Sequence, residues 1–140
     1  IVNRLQITKC DCNQQIIDAE IEPKIEITGD KFALTSVVTN LIENAVKYSS
    51  PCSAVGVKLF SKDDKVYLEV ADQGIGIADN EKTRIFDKFY RVGSEDTRNT
   101  KGTGLGLYIV KEVLDKHHAS IRVRDNRPEG SVFEVVFGLT

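Results

Sequence analysis

Three glycines alternate in KGTGLGLYIV, residues 101–110, directly in front of a run of apolar residues. Glycines let backbone N–H groups approach an anion closely, and a helix that starts near Leu105 would direct its positive end at that anion. The spacing does not match a P-loop, and the partner strings of the protein-kinase glycine loop are missing. A dinucleotide site remains open because Asp125 ends a predicted strand, where a ribose-binding acid would lie. The stretch therefore indicates either an anion-binding loop or close loop-to-helix packing.

A second group of polar residues lies on a predicted helix, residues 31–48, whose first turn Asp30 can cap. Polar side chains recur at i, i+4 and i+7, so at about 100° per residue they share one side of that helix. An asparagine within a helix lowers its propensity, so two on one side favour a function over a solvated surface. The polar stripe consists of Asn40, Asn44 and Lys47, with Glu43 beside it on one side and Tyr48 on the other. The apolar stripe, which should face the core, consists of Leu34, Val37, Val38, Leu41, Ile42 and Ala45.

The patterns after this helix predict a sheet. Two alternating runs, SAVGVKLF and KVYLEVAD, are joined by SKDDK and predict an antiparallel hairpin. The second run leads into Asp72 and the glycines of DQGIGI, and an aspartate before a glycine is by itself typical of a turn. SIRVRD and SVFEVVFGL predict two final strands around the turn NRPEG. The hairpin should bury Val55, Val57 and Leu59 from one strand and Val66, Leu68 and Val70 from the other.

The other segments complete the predicted fold. Residues 79–90 are predicted to form a short helix, which is followed by the long loop RVGSEDTRNTKGTG. Near the amino terminus, RLQITKC and KIEIT predict short strands, whereas CNQQIIDAEIEP fits either a strand or a helix. Together these patterns predict an α/β (α+β) fold with an antiparallel or mixed sheet and helices on one face. A second amphipathic helix after the glycines should bury Ile109, Val110, Val113 and Leu114.

Length and composition limit the function classes. The chain has 140 residues, of which 41% are hydrophobic and 29% charged, as expected for one globular domain with a core. Its net charge is −2 with dispersed basic residues, which argues against a nucleic-acid partner, and no apolar run has the length of a membrane span. The three cysteines lack a second ligand pair and are expected to be reduced thiols in a cytosolic protein. The absence of Met suggests a piece of a longer protein.

Four sequence motifs follow one another along the chain: NLIENAVKYS, VADQGIGI, IFDKFYRV and GTGLGLYIV. They closely resemble the N box, first glycine box, F box and second glycine box of sensor histidine kinases. The resemblance covers about residues 28–137 and implies the Bergerat ATP-binding fold, a two-layer sandwich of a mixed sheet and helices. It leaves residues 1–27 as a diverged or truncated amino-terminal part of the single domain, and it makes residues 92–103 a mobile lid over ATP.

The resemblance assigns the base of the nucleotide to the first glycine box. Asp72 would accept a hydrogen bond from the adenine amino group, and its carboxylate would repel the carbonyl oxygen of guanine. Gly74 and Gly76 would leave room for the base, against which Ile77 would pack.

The N box would handle the metal and the phosphates. Asn44 matches the magnesium ligand of the family, and an amide oxygen is a hard donor suited to Mg²⁺. Asn40 would reach the same cluster through water, Lys47 would neutralise phosphate charge, and Tyr48 would stack near the adenine. Glu43 is a candidate general base, although the matching acid has different roles within the superfamily.

The lid would close over the phosphates. Phe86 and Phe89 are interpreted as core residues that anchor its base, and Lys88 stands where many family members have arginine. The predicted lid and phosphate contacts are Arg91, Gly102, Thr103, Gly104, Leu105 and Gly106.

The reaction that the resemblance implies needs a second domain. A histidine kinase phosphorylates a histidine on a dimerisation domain, and the string that carries that histidine is not found in this sequence. His117 and His118 are instead expected to contact the last carbonyls of their helix. The expected cofactors are ATP and Mg²⁺, and the expected partners are that domain and a downstream response regulator, without nucleic acid or membrane contact. The domain would be the cytoplasmic part of a sensor. The alternatives are an anti-sigma-factor serine kinase and a non-catalytic ATP-binding module.

Overall fold

The computed structural model describes residues 2–8, 14–49, 53–87 and 106–138. These residues form one six-stranded sheet, two α-helices and two single turns of 3₁₀ helix. In chain order the elements are β1 (Val2–Thr8), β2 (Gln14–Ile21), α1 (Lys31–Tyr48), β3 (Ala54–Lys62), β4 (Lys65–Ala71), the 3₁₀ turns Asp79–Glu81 and Arg84–Phe86, α2 (Gly106–Lys116), β5 (Ser120–Asp125) and β6 (Ser131–Gly138).

The strand order across the sheet is β1-β2-β3-β4-β6-β5. β2 and β3 run parallel because α1 connects them and returns the chain to the starting edge, and the other neighbours are antiparallel. The β3–β4 hairpin turns at Asp63 and Asp64, whose φ angles of 54° and 62° suit a tight two-residue connection. The predictions of a mixed, largely antiparallel sheet and of this hairpin are therefore confirmed.

The core lies between the sheet and the helices. Alternate residues of the hairpin face the core, as predicted, although Leu59 is only partly buried, and Phe133 of β6 is only 1% exposed. Val38 and Ile109 depart from the prediction, since they are 36% and 41% exposed. Each lies next in sequence to a fully buried valine and is therefore rotated by about 100° away from the centre of its buried stripe. The helices bury Val37, Leu41, Ala45, Val46, Val110 and Leu114.

The start of α1 and the end of α2 are joined. The Asp30 carboxylate caps α1 by accepting hydrogen bonds from the N–H groups of Phe32 and Ala33 at 2.9 and 3.1 Å. His117 Nε2 accepts the Asp30 N–H at 3.0 Å, so Nδ1 carries the ring proton and donates to the Val113 carbonyl at 2.8 Å. The predicted contact of His117 with the last turn of its helix is confirmed.

Two predictions of secondary structure are wrong. KIEIT does not pair with the sheet, because Pro23 and Lys24, with φ of 65°, form a turn that directs the chain away toward α1. Residues 79–87 form two separate 3₁₀ turns rather than one helix, and residues 88–90 lie outside the described part. Residues 79–84 carry no apolar side chain, so a helix over this stretch would have no face to bury. CNQQIIDAEIEP, for which both states were open, contains strand β2.

Candidate functional site

Asp72 directly follows β4 and is only 4% exposed. Its Oδ1 atom accepts hydrogen bonds from the N–H groups of Gly74 at 3.0 Å and Ser131 at 3.2 Å. Its own N–H donates to the Ser131 carbonyl at 2.9 Å, and its carbonyl accepts from Asn126 Nδ2 at 2.7 Å. No described residue donates a hydrogen bond to Oδ2. One oxygen of a firmly held carboxylate therefore remains available to a ligand.

Burial raises the pKa of the Asp72 carboxyl above its ordinary value, and the N–H groups of Gly74 and Ser131 offset only part of that effect. No cationic side chain among the described residues pairs with it. A carboxylate in this setting lacks the donors that would fully stabilise its charge. A ligand that brings an N–H to Oδ2 would supply one of them.

Close backbone packing brings the end of α1 to this carboxylate. Gly74 forms an isolated antiparallel bridge with Ser49, and a Cβ atom on Gly74 would lie 2.0 Å from the Tyr48 carbonyl oxygen. Any side chain there would push the loop away from the helix. The structure thus brings Asp72, Gly74 and the backbone of Tyr48 together, as the predicted base site requires.

Gly76 and Ile77 continue the loop after Gly74. Gly76 has φ of 74°, which favours glycine, and Ile77 is half-buried against the core. Their loop forms one wall of a groove of about 470 Å³. The opposite wall is the β5–β6 turn, residues 125–130, part of which contacts Asp72. The groove therefore adjoins the turn that holds Asp72, with Ile77 in its lining, although Asp72 itself does not line it.

The polar stripe of α1 contacts the start of α2. The Asn40 side-chain amide donates to the Ser36 carbonyl at 2.8 Å and contacts the Ser36 hydroxyl at 3.2 Å. A Cβ atom on Gly106 would lie 3.2 Å from Asn40 Oδ1, so the N box and the end of the second glycine box meet here. Asn44, one turn further along the helix, is half-buried.

Three other predicted residues occupy the same part of α1. Lys47 Nζ lies 5.4 Å from the centre of the Tyr48 ring, within range of a cation–π contact. Glu43 is exposed, which is compatible with contact to a second domain but gives it no fixed geometry. The predicted site residues that the structure describes thus form two groups. One group surrounds Asp72 and is called the base corner after its predicted role, and the other is the polar stripe on α1.

Several predicted site residues lie outside the part of the chain that the structure describes. The lid, residues 92–103, and Phe89 lie outside the described residues, as do Arg91, Gly102, Thr103, Gly104 and Leu105. Their assignments remain predictions from the sequence. Phe86 contacts the Phe133 ring edge to face at 6.3 Å, which confirms that it packs in the core, and its role as an anchor of the lid stays a prediction.

The sequence predicts the turn NRPEG but not its contacts with Asp72. Gly130, with φ of 100°, lies so close that a Cβ atom would be 2.1 Å from the Asp72 carbonyl oxygen. Ser131, 2% exposed, and Asn126 provide the contacts described above. The local pattern NRPEG predicts only a turn, because nothing in it indicates that Asn126 contacts Asp72, which lies 54 positions earlier.

Comparison with known proteins identifies the class. A family model described as histidine kinase-, DNA gyrase B-, and HSP90-like ATPase matches residues 29–140, and the chain belongs to this family. The relatives agree on the subgroup. The sensor protein CiaH of Streptococcus pneumoniae serotype 4 is 40% identical over 109 residues, which cover 78% of this chain but only 24% of CiaH.

Solved structures give the same result. The mycobacterial sensor histidine kinase MprB superposes with a TM-score of 0.76 at 34% identity, over 86% of this chain and 79% of that structure. Full-length ShkA in complex with AMPPNP superposes with a TM-score of 0.73 at 28% identity, over 86% of this chain and 25% of that structure. The chain therefore carries an ATP-binding catalytic domain of the histidine-kinase type, and the fold predicted from the four strings is confirmed. In the described part of the chain, neither helix has the length and apolar character needed to cross a membrane.

Proposed function

We propose that this domain binds ATP with Mg²⁺ and, within a longer sensor kinase, donates the γ-phosphate to a histidine of a separate dimerisation domain. The observation that carries the proposal is the buried Asp72 carboxylate, whose Oδ2 atom lacks a donor among the described residues. The membership of the chain in the ATPase family supports ATP as the ligand.

Asp72 would select the base. The adenine amino group donates an N–H to Oδ2, whereas guanine would present a carbonyl oxygen that the carboxylate repels. A hydrogen bond to a charged group contributes about 1.5–3 kcal/mol, which corresponds to roughly ten- to a hundred-fold in affinity. The Tyr48 carbonyl fills the space that was predicted beside Gly74, so Gly74 would hold the loop of Asp72 against α1. Gly76 would leave the base room to enter, and Ile77 would supply apolar contact from the groove wall.

The α1 stripe fits a magnesium–triphosphate group. Mg²⁺ is usually held by only one or two protein oxygens together with phosphate oxygens and water, and the Asn44 amide oxygen is a hard donor of that kind. Asn40 lies against Gly106 at the positive end of α2, and Lys47 adds charge from the same side of α1. When bound, Mg²⁺ would neutralise phosphate charge. Asn44 would hold the metal, Asn40 would orient a water molecule in its shell, and Tyr48 would contact the base.

The lid residues would complete the phosphate site. Arg91, Thr103 and Leu105 would lie over the triphosphate together with the backbones of Gly102, Gly104 and Gly106. Backbone N–H groups and a guanidinium are suitable donors for phosphate oxygens.

The phosphate acceptor is proposed to lie outside this chain. Both ring nitrogens of His117 are engaged, because Nε2 accepts the Asp30 N–H at the start of α1 and Nδ1 donates to the Val113 carbonyl of α2, which argues against phosphorylation there. Glu43 is exposed on α1 and would assist an incoming histidine as a general base. We further propose that the longer protein passes the phosphate to a response regulator and that this domain works in the cytoplasm, where ATP is available.

Calorimetric titration and phosphotransfer test the proposal. The chain should bind ATP with Mg²⁺ at least about ten-fold more tightly than GTP, since one hydrogen bond to a charged group separates the two bases. Asp72→Ala should abolish that preference. With labelled ATP the chain alone should stay unlabelled, and label should appear on a supplied dimerisation domain from the parent protein. Equal affinity for ATP and GTP would refute base selection, and label on His117 or His118 would refute the separate acceptor. Binding without any transfer would instead indicate a non-catalytic ATP-binding module.

A further inference from the structure

The turn between β5 and β6, residues 126–130, holds Asp72 on several sides. Asn126 Nδ2 donates to the Asp72 carbonyl at 2.7 Å, and Gly130 packs directly against that carbonyl. The residue after the turn, Ser131, accepts from the Asp72 N–H and donates to Oδ1. The position of the carboxylate therefore depends on where this turn lies.

Asn126 is the side chain that fixes the turn to β4. Its backbone N–H closes the turn by donating to the Gly130 carbonyl at 3.0 Å, and its Oδ1 accepts from the Arg127 N–H at 2.9 Å. With Oδ1 occupied by that donor, Nδ2 is directed at the Asp72 carbonyl. The backbone N–H, Oδ1 and Nδ2 of Asn126 thus have one hydrogen-bond partner each. Of these three contacts, only that of Nδ2 reaches Asp72 at the end of β4.

We propose that Asn126 is a positioning residue for base recognition: it holds the turn so that Ser131 N–H occupies Oδ1 and Oδ2 is left for the adenine amino group. This inference rests on the proposed function, because it assumes that Asp72 contacts that amino group. Asn126 itself acts only through Asp72. Its loss leaves the carboxylate present and still bound by the Gly74 N–H, but the Ser131 N–H is no longer held in place, so the plane of the carboxylate tilts and Oδ2 turns from the base.

A nucleotide that lacks the amino group separates positioning from folding. Purine riboside triphosphate has the same ring system and phosphates as ATP but no 6-amino group. The unmodified chain should bind ATP roughly ten-fold or more tightly than this analogue. Asn126→Ala should weaken ATP binding by about five-fold and leave the analogue nearly unaffected, since a neutral hydrogen bond contributes modestly. Ser120→Ala is the control, because Ser120 is an exposed polar residue at the other end of β5 and does not line the groove, and it should retain the full preference for ATP.

Two further measurements cover a poorly folded variant. Asn126→Ser keeps a hydroxyl donor and should retain an intermediate preference for ATP. In ¹⁵N–¹H spectra, Asn126→Ala should shift the amide signals of Gly74 and Ser131, which both donate to the Asp72 carboxylate, more than Ser120→Ala does.

The outcomes distinguish the two proposals. Equal losses for ATP and the analogue in both Asn126 variants would show that the turn only maintains the fold and would overturn the positioning role. An unchanged preference for ATP would overturn it as well. Equal binding of ATP and the analogue by the unmodified chain would refute recognition of the amino group by Asp72, which is a failure of the proposed function itself.

Discussion

Two carboxyl groups at the same strand, the buried one of Asp72 and the partly buried one of Glu69, have different surroundings. Glu69 lies within β4 and Asp72 directly follows it, and burial raises the pKa of both carboxyl groups. Glu69 has cations nearby: Arg124 Nη2 contacts it at 3.2 Å, and Lys58 is its neighbour on β3. Asp72 is held by uncharged N–H groups. The first carboxyl group carries its counter-charges within the fold, whereas the second lacks them.

The surroundings of Glu69 form a row across the sheet. Lys58, Glu69, Glu134 and Arg122 stand opposite one another on four neighbouring strands. Arg122 pairs with the buried Glu134 at 2.7 Å. Glu69 and Glu134 repel each other across the strands, and the cations at the two ends of the row, Lys58 and Arg122, offset that repulsion within the sheet, so nothing about Glu69 calls for a ligand. We infer that a buried carboxylate without a cation distinguishes the binding residue from the structural one.

We expect the largest effect from Gly74→Ala, which disturbs the packing of the loop that holds Asp72. The new Cβ atom would lie 2.0 Å from the Tyr48 carbonyl, so the loop must leave α1. Overpacking of this kind should lower the free energy of unfolding by about 3 kcal/mol, measured by urea denaturation, and weaken ATP binding as well. Gly138→Ala is the control, since a Cβ there meets no atom within 4 Å. A Gly74→Ala protein as stable as the control would contradict the described packing.

Asp72→Asn tests whether this carboxylate serves binding rather than the fold. The amide oxygen can still accept the N–H groups of Gly74 and Ser131, and the buried charge is removed. ATP affinity should fall by roughly ten- to a hundred-fold, because an NH₂ group would then face the adenine amino group. The thermal midpoint at neutral pH should stay equal or rise. A large loss of stability together with normal ATP affinity would assign Asp72 to the fold, like Glu69.

Asn44→Ala tests the other half of the site. Calorimetry with Mg²⁺ and with EDTA should show that the variant loses most of the Mg²⁺ dependence of ATP binding. Its affinity without the metal should change by less than about two-fold, because the base corner is a separate site. Thr39→Ala, an exposed change on the same helix, is the control. Equal Mg²⁺ dependence in the two variants would remove Asn44 as the metal ligand.

The sequence predicted the parts of the site that depend on one element at a time. The α1 stripe follows from helical periodicity, and Asp72 stood out at the junction of an alternating strand and a glycine turn. The support of Asp72 could not be predicted, because Asn126, Gly130 and Ser131 reach it only once β4 pairs with β6. The prediction of a strand at KIEIT was wrong for the opposite reason. The alternation of this segment is a local pattern, but the turn at Pro23 and Lys24 directs the segment away from the sheet.

The smallest effect is expected from Glu69→Gln, which tests the structural carboxyl group. Burial and the hydrogen bond with Glu134 raise the Glu69 pKa above 4.5, while Arg124 opposes them. The folded state therefore binds the proton more tightly than the unfolded chain does. The stabilising contribution is complete below about pH 4.5, the unfolded value, and is lost as the pH rises through the higher folded value.

The measurement is urea denaturation between pH 4 and 7. Glu69→Gln removes the titrating group, so the fall in the free energy of unfolding with rising pH should become shallower than in the unmodified chain. ATP affinity at pH 7 should stay unchanged, because Glu69 lies in the charged row and its described contacts are to other residues of the sheet. The comparison with Asp72→Asn then depends on the ligand: both substitutions remove a carboxyl group of raised pKa and so alter the pH dependence of stability, but only Asp72→Asn should weaken ATP binding. A steeper pH dependence in Glu69→Gln, or a ten-fold loss of ATP affinity, would show that the two carboxyl groups do not divide these roles.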